Sequence, residues 1–256
     1  MRRISSASPP PGLAVSTPHS SWAQHYDEAY RRSFGDFYDH LTAATVDCIQ
    51  KVQPPPARVV DFGAGTGRLA LPLAKAGYSV VAVDPCPEML AVLNSKAENE
   101  RLPIQAVCCR MQDKFESAPF DLALCVFTVL LYLLDEAALC ASFQSAAAAV
   151  RPGGRLLLDV PSRQLFHSYN RVAPDFVRDV RVTPETDILF RYDETIRVQR
   201  DGGWLKHEDS FQIRYWEQSH VFHALDRAGF VVEEDLTPLF VGTGSQYFVA
   251  RRSISA

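Results

Sequence analysis

Three glycines and two acids carry the clearest chemistry in this 256-residue sequence. Val59 to Pro72 reads VVDFGAGTGRLALP: an apolar run, Asp61, then Gly63, Gly65 and Gly67 at alternate positions. Such glycines permit a tight turn whose backbone N–H groups approach a ligand closely. The dinucleotide fingerprint, G-x-G-x-x-G, places a pyrophosphate on the following helix N-terminus. Here the third glycine comes one place early, and the Asp61 carboxylate would repel a pyrophosphate. Asp84 ends the next apolar run, 84 − 61 = 23 residues on. A carboxylate there can accept from both hydroxyls of a ribose. The pattern therefore points to an adenosine that carries positive charge near Asp61. Each residue also has a plainer reading. Asp61 could cap a helix, Met89, Phe127 and Tyr132 could be core residues, and the glycines could form an ordinary turn.

Strands and helices must place these residues. ARVVDF, SVVAVD, IQAVCC, Phe120 to about Phe127 and RLLLDVP are continuously apolar, which marks strands covered on both faces. Between them run helical stretches: RLALPLAKAG ending at Gly77, PEMLAVLNSKAE opened by Pro87, and a helix capped by Asp135 with Leu139, Phe143 and Val150 on its apolar face. The alternation predicts an α/β fold, Rossmann-like and doubly wound, around a mostly parallel seven-stranded sheet. Residues 161–215 break that rhythm. Phe190, Tyr192, Ile196 and Val198 share one parity, and Phe211, Ile213 and Tyr215 answer them across Asp201–Gly203, so a small antiparallel β insertion is expected. SHVFHALDRAGF then gives a helix, and VVEEDL and SQYFVARR the last strands. Ahead of the first strand, Trp22, Tyr26, Tyr30, Phe34, Phe37 and Tyr38 recur on a helical face, and Phe37, Leu41, Ala44, Cys48 and Val52 form the stripe of a second helix.

Composition excludes several classes. The net charge is −4 without a basic tail, which disfavours nucleic acid. No apolar run approaches the roughly 20 residues of a membrane span. Residues 1–20 are rich in Ser and Pro, lack a sustained apolar core for a signal sequence, and read as a disordered extension of a domain spanning 21–256. The six cysteines form no CxxC pair and mostly sit in apolar runs. A reduced, cytoplasmic protein without a metal is the expectation.

The segments Val59–Gly67, Val80–Asp84, Phe120–Phe127 and Val150–Val160 resemble, in order and spacing, the motifs of class I S-adenosylmethionine-dependent methyltransferases. Within that family the chain looks most like small-molecule enzymes with an antiparallel insertion before the sixth strand, such as sugar N- and glycine-type N-methyltransferases. The resemblance implies S-adenosyl-L-methionine as cofactor. Asp61 and the Gly63–Ala64–Gly65–Gly67 backbone would hold its methionyl part and Asp84 its ribose. Pro85 and Met89 would line the adenine or ribose side. Where the family often has an acid after the third strand, this chain has Cys109, Arg110 and Met111; Arg110 and the Met111 N–H stand in the adenine position, and the acid is missing unless Gln112 or Asp113 shifts into its place. Cys125 and Phe127 would floor the reacting centre, and the 161–215 insertion would cover the substrate.

Methyl transfer is an in-line displacement that mainly needs alignment, plus a base where the acceptor must lose a proton. His207 in the insertion and His220 at the next helix are the preferred bases, and Tyr26 and Tyr30 could close as a lid. The expected activity is methylation of a nitrogen or oxygen atom of a small molecule, with the chain acting alone or as a homodimer. An NAD(P)-dependent oxidoreductase and a non-catalytic methyltransferase-like binding protein are the alternatives.

Overall fold

The computed structural model describes residues 17–113 and 119–254. Seven strands form one sheet: β1 (Arg58–Phe62), β2 (Ser79–Asp84), β3 (Ile104–Cys108), β4 (Phe120–Cys125), β5 (Val150–Pro161), β10 (Phe230–Asp235) and β11 (Ser245–Arg252). Their order is β10-β11-β5-β4-β1-β2-β3. The pairings among β1 to β5 are parallel, whereas β11 runs antiparallel to both β5 and β10. The four remaining strands, β6 (Tyr169–Ala173), β7 (Phe176–Pro184), β8 (Leu189–Arg200) and β9 (Gly203–Arg214), form a separate antiparallel sheet. Within 161–215, the β8–β9 pair is the expected hairpin, with Tyr192 opposite Phe211 and Phe190 opposite Ile213.

Both faces of the large sheet are buried because its strands are apolar on both sides. One face packs Leu139, Phe143 and Ala146 of α5 (Glu136–Ala149) and Val221 and Leu225 of α6 (Gln218–Arg227). The other packs Ile49 of α2 (Asp36–Val52), Leu73 of α3 (Ala70–Lys75) and Leu90 and Leu93 of α4 (Pro87–Glu100). Asp135 caps α5 as its spacing requires, accepting from the Ala138 N–H at 2.7 Å.

Three expectations need correction. The stripe of α2 is rotated: Tyr38, Thr45, Cys48 and Ile49 are buried, whereas Phe37 is 43% exposed. Strand β4 stops at Cys125, because Phe127 (φ 65°) and Thr128 (φ 68°) are both left-handed, a conformation that ends a strand. Of the extension expected over 1–20, residues 1–16 lie outside the described residues, but folded chain begins before residue 20. A 3-10 helix (Ser20–His25) leads into α1 (Tyr26–Phe34), and His19 is only 6% exposed. This N-terminal segment and the inserted sheet share their own apolar cluster, Trp22, Ala29, Phe176, Ile196 and Val198, apart from the two cores of the main sheet.

Candidate functional site

The glycine loop follows β1 and is shaped by contacts that only glycine allows. Gly63, Gly65 and Gly67 all have positive φ, at 74°, 52° and 89°. A Cβ on Gly63 would lie 2.5 Å from the Val129 side chain. A Cβ on Gly65 would meet nothing within 4 Å. Gly65 thus borders space and Gly63 borders protein. The Asp84 carboxylate, at the end of β2, accepts from the Gly65 N–H and the Cys86 N–H, each at 2.8 Å. Each oxygen keeps a further lone pair with which a hydroxyl can be bound.

Asp61, at the end of β1, is 4% exposed. Burial, reinforced by the nearby Asp84, pushes its carboxyl up to about 7. A cationic group beside it would offset that cost; a phosphate would increase it. The empty border at Gly65 and the two carboxylates fit an adenosine with a charged amino-acid tail.

Beneath the loop lie the ends of β4 and β5. Cys125 is fully buried, and burial, Asp159 and Asp61 push its thiol well above its ordinary range, which favours the neutral thiol over the nucleophilic thiolate. Asp159 accepts from the Thr128 N–H at 3.0 Å, which holds the left-handed Phe127–Thr128 turn in place. Burial raises the Asp159 carboxyl to about 6, even though that hydrogen bond pulls the other way. The Phe127 ring takes the Arg68 guanidinium at 3.6 Å, and Tyr38 takes it at 4.0 Å. Arg68 therefore joins the loop, β4 and α2.

The N-terminal segment caps this arrangement. Thr66 Oγ1 of the glycine loop donates to Asp27 of α1 at 2.6 Å, and Lys96 Nζ of α4 binds both Asp27 and the Thr66 carbonyl. Tyr26 stacks on Tyr30 at 4.4 Å. Burial, followed by the charges of Tyr30 and Tyr132, holds the Tyr26 hydroxyl well above its ordinary range. Met89 is buried against Ala23 and Cys86, under the cap, and Pro85 is exposed beside it.

Other expected residues fall elsewhere. Arg110 is exposed and spends its guanidinium on Asp113 at 3.0 Å. Those bonds outweigh burial and hold the Asp113 carboxyl low. Neither side chain is therefore turned to the loop, while Met111 is buried in the main core. His220 is exposed on α6, a helix that packs on α5 and β10. Among the described residues no side-chain bond links it to the loop. His207 lies on the inner parity of β9, its ring 5.4 Å from His25, and burial and His25 lower its tendency to hold a proton.

Several residues at the site carry no sequence motif. On the inner face of the inserted sheet, Arg178 and Glu194 are 0% and 2% exposed and form an ion pair at 2.6 Å. His19 reaches the pair: its Nδ1 is 3.3 Å from Glu194 Oε2, and its Nε2 is 3.0 Å from the Tyr132 hydroxyl. Its backbone N–H is bound by Asp209. One signal was available. Glu194 shares the parity of Phe190, Tyr192, Ile196 and Val198, so the alternation already put a carboxylate on the buried face.

Comparison with known proteins settles the family. A family model described as a methyltransferase domain matches residues 59–154. The ubiquinone biosynthesis O-methyltransferase of Xylella fastidiosa is 30% identical over 184 residues, covering 68% of this chain and 72% of that protein. The chain belongs to the S-adenosylmethionine-dependent methyltransferases. A putative methyltransferase of Geobacillus is 35% identical over 105 residues, an alignment covering 41% of this methyltransferase and 42% of that protein. The fold is shared with a Clostridium acetobutylicum S-adenosylmethionine-dependent methyltransferase, at TM-score 0.79 and 16% identity, covering 93% of this chain and 100% of that one. It is shared also with the sugar N-methyltransferase KedS8 of Streptoalloteichus, at TM-score 0.74 and 21% identity, covering 99% and 100%. The oxidoreductase alternative is thereby set aside. No helix among the described residues is long and apolar enough to cross a membrane.

Proposed function

We propose that this methyltransferase places a methyl group on a nitrogen or oxygen atom of a small molecule received beside the glycine loop, next to the Val129–Tyr132 turn and the Tyr192–Phe211 pair of the inserted sheet. One observation carries the reading. Tyr26 and Tyr132 both meet the His19 ring, at 5.5 Å and 6.2 Å, Tyr132 and Tyr192 both meet the Phe211 ring, at 5.8 Å and 4.9 Å, and the turn that carries Tyr132 packs through Val129 on Gly63 of the loop. Aromatic walls with a few polar groups suit a small organic acceptor. The Xylella relative is named for O-methylation and the Streptoalloteichus enzyme for sugar N-methylation, which supports a small acceptor and leaves both atoms open.

S-adenosylmethionine, when bound, supplies a methyl carbon already activated by its sulfonium. The chain's part is to bind, orient and exclude water. In this reading Asp84 takes the ribose hydroxyls with its free lone pairs. Asp61 and the Gly63–Gly67 backbone take the charged tail. Pro85, Met89 and Met111 flank the adenine side, Cys125 and Phe127 form the floor, and Tyr26 and Tyr30 close the roof. The residues 161–215 cover the acceptor.

Thermal shift tests the reading. S-adenosylhomocysteine is expected to stabilise the protein and NAD(P)H to leave it unchanged; the reverse pattern would refute the reading. Asp84→Ala is expected to abolish the shift, and a full shift in that variant would show the ribose assignment to be wrong. A screen of amines and hydroxy compounds for S-adenosylhomocysteine release then reads the acceptor.

A further inference from the structure

Four side chains from four separate elements form one continuous chain of contacts: Arg178 on β7, Glu194 on β8, His19 ahead of the first helix, and Tyr132 in the 3-10 turn after β4 (Val129–Tyr132). Its inner members are closed to water, with His19 at 6% and Glu194 at 2% exposure, whereas Tyr132 is 37% exposed. Tyr132 is therefore the outermost member of the chain, the one nearest an incoming molecule. It also lies beside the cofactor loop, because Val129 of the same turn packs on Gly63. Glu194 Oε2 and His19 Nδ1, 3.3 Å apart, have no other hydrogen-bond partner. One tautomer matches both His19 contacts: Nδ1–H toward Glu194, and the Nε2 lone pair toward the Tyr132 O–H.

We propose that Tyr132 is a catalytic residue that takes the proton of the methyl acceptor and that His19 receives Tyr132's own proton, with Glu194 and Arg178 as positioning residues. The inference rests on the methyl-transfer reading above and narrows its acceptors to those that enter protonated, a hydroxyl or an ammonium. The step balances. The acceptor's N–H or O–H bond breaks and its proton joins the Tyr132 oxygen. The Tyr132 O–H proton moves to His19 Nε2. The freed lone pair of the acceptor forms the new bond to the methyl carbon, and the carbon–sulfur pair stays on sulfur. The imidazolium left on His19 faces Glu194.

The surroundings agree with this division of labour. Burial, then the charges of Tyr30, Glu194 and Asp84, keep the Tyr132 hydroxyl protonated well past its ordinary range, so it passes a proton on and does not stand as a free phenolate. Burial opposes charge on Glu194, but His19 and Arg178 outweigh it and hold the carboxylate ionised. The charged and titratable groups facing His19 are Glu194 on β8, Arg178 on β7, Asp209 on β9, Tyr26 on α1, Tyr132 after β4 and Asp84 at the end of β2. Carboxylates predominate among them, which suits a group that acquires positive charge.

The test uses the full chain saturated with S-adenosylhomocysteine and ¹⁵N-labelled at histidine. His19 is expected to show a protonated Nδ1 and an unprotonated Nε2 at neutral pH. Tyr132→Phe should move the Nε2 resonance alone, and Glu194→Gln should shift the tautomer balance. A protonated Nε2 in the parent protein, which requires no variant to fold, overturns the relay; so does a Tyr132→Phe variant with an unchanged His19 spectrum. A second arm follows S-adenosylhomocysteine release with an aminohexose and a catechol as probe acceptors. His19→Gln is expected to lower kcat at least tenfold, to remove the dependence of rate on pH at the acid side, and to leave the thermal shift by S-adenosylhomocysteine intact. An unchanged profile in that variant overturns the proposal. If neither probe is methylated, the tautomer decides. Loss of the S-adenosylhomocysteine shift in the parent protein would instead strike the underlying methyl-transfer reading.

Discussion

Cofactor binding should release a proton from Asp61. The carboxyl is held near 7 by burial and by Asp84, and a cationic tail placed beside it favours the ionised form. If only the ionised carboxyl binds well, affinity follows its ionised fraction. That fraction is about one in thirty at pH 5.5 and about one quarter at pH 6.5, so affinity should rise about eightfold, or about 1.2 kcal/mol. Measurements stop at pH 6.5, more than a unit below the range of about 7.7–8.0 at which an α-ammonium is half deprotonated. Isothermal titration with S-adenosylmethionine, in two buffers of different ionisation enthalpy, reads both affinity and protons released. About one proton should leave per binding event at pH 5.5 and about 0.75 at pH 6.5. Asp61→Asn should bind more weakly and remove most of this dependence. A flat affinity with no proton release in the parent protein would refute the reasoning. The sign reverses for the unliganded protein. The folded state binds more protons than the unfolded chain between the ordinary carboxylate range and about 7, so its stability should fall as pH rises through that window. Asp61→Asn should therefore raise the unliganded Tm at pH 7.5 while costing affinity.

Two glycine variants should separate folding from binding. Gly63→Ala meets Val129 at 2.5 Å with φ 74°, so urea unfolding should show a loss of about 1–3 kcal/mol. Gly65→Ala meets no atom within 4 Å, so it should cost about 1 kcal/mol in stability yet markedly weaken S-adenosylhomocysteine binding by calorimetry. Arg178→Met or Glu194→Leu alone leaves a buried charge unpaired and should cost about 3–5 kcal/mol; the double variant should recover much of it, as read by urea midpoints. Asp27→Ala frees Thr66 and Lys96 from the cap and should speed S-adenosylhomocysteine release by about tenfold in stopped-flow Trp22 fluorescence, with little change in Tm.

The large sheet is legible because its central strands carry unbroken apolar runs, VV in β1, VVAV in β2, LALC in β4 and LLL in β5, and its turns carry glycine, proline or a capping acid. The turn at 59–67 is legible because three left-handed backbone positions demand glycine, and Asp84 because it ends an apolar strand, where it accepts from the Gly65 N–H. The inserted sheet was legible only in half. Strands β8 and β9 alternate cleanly around Asp201–Gly203, whereas β7 places Arg178 between Phe176 and Val180 on its inner parity and so hides its own period. His19 was missed for a related reason. It follows a Ser- and Pro-rich stretch, and its partners Glu194 and Asp209 lie 175 and 190 residues away in sequence. His207 and His220 stand out in the sequence by residue type alone, which says nothing about what a ring can reach.

The separate cluster of Trp22, Ala29, Phe176, Ile196 and Val198 has a consequence for how such an enzyme can diverge. The segment ahead of β1 and the sheet between β5 and α6 form their own dry contact, outside the layers that hold the large sheet together. Substitutions there are felt mutually, while Asp27 against Thr66 and Lys96, and Ala23 against Met89, fasten the N-terminal piece to the cofactor platform. The two pieces, far apart in the gene, are thus a single exchangeable cassette. Transplanted as a pair onto a related platform, they should carry their acceptor preference with them; transplanted singly, either piece would bring half of a buried ion network and no partner for it.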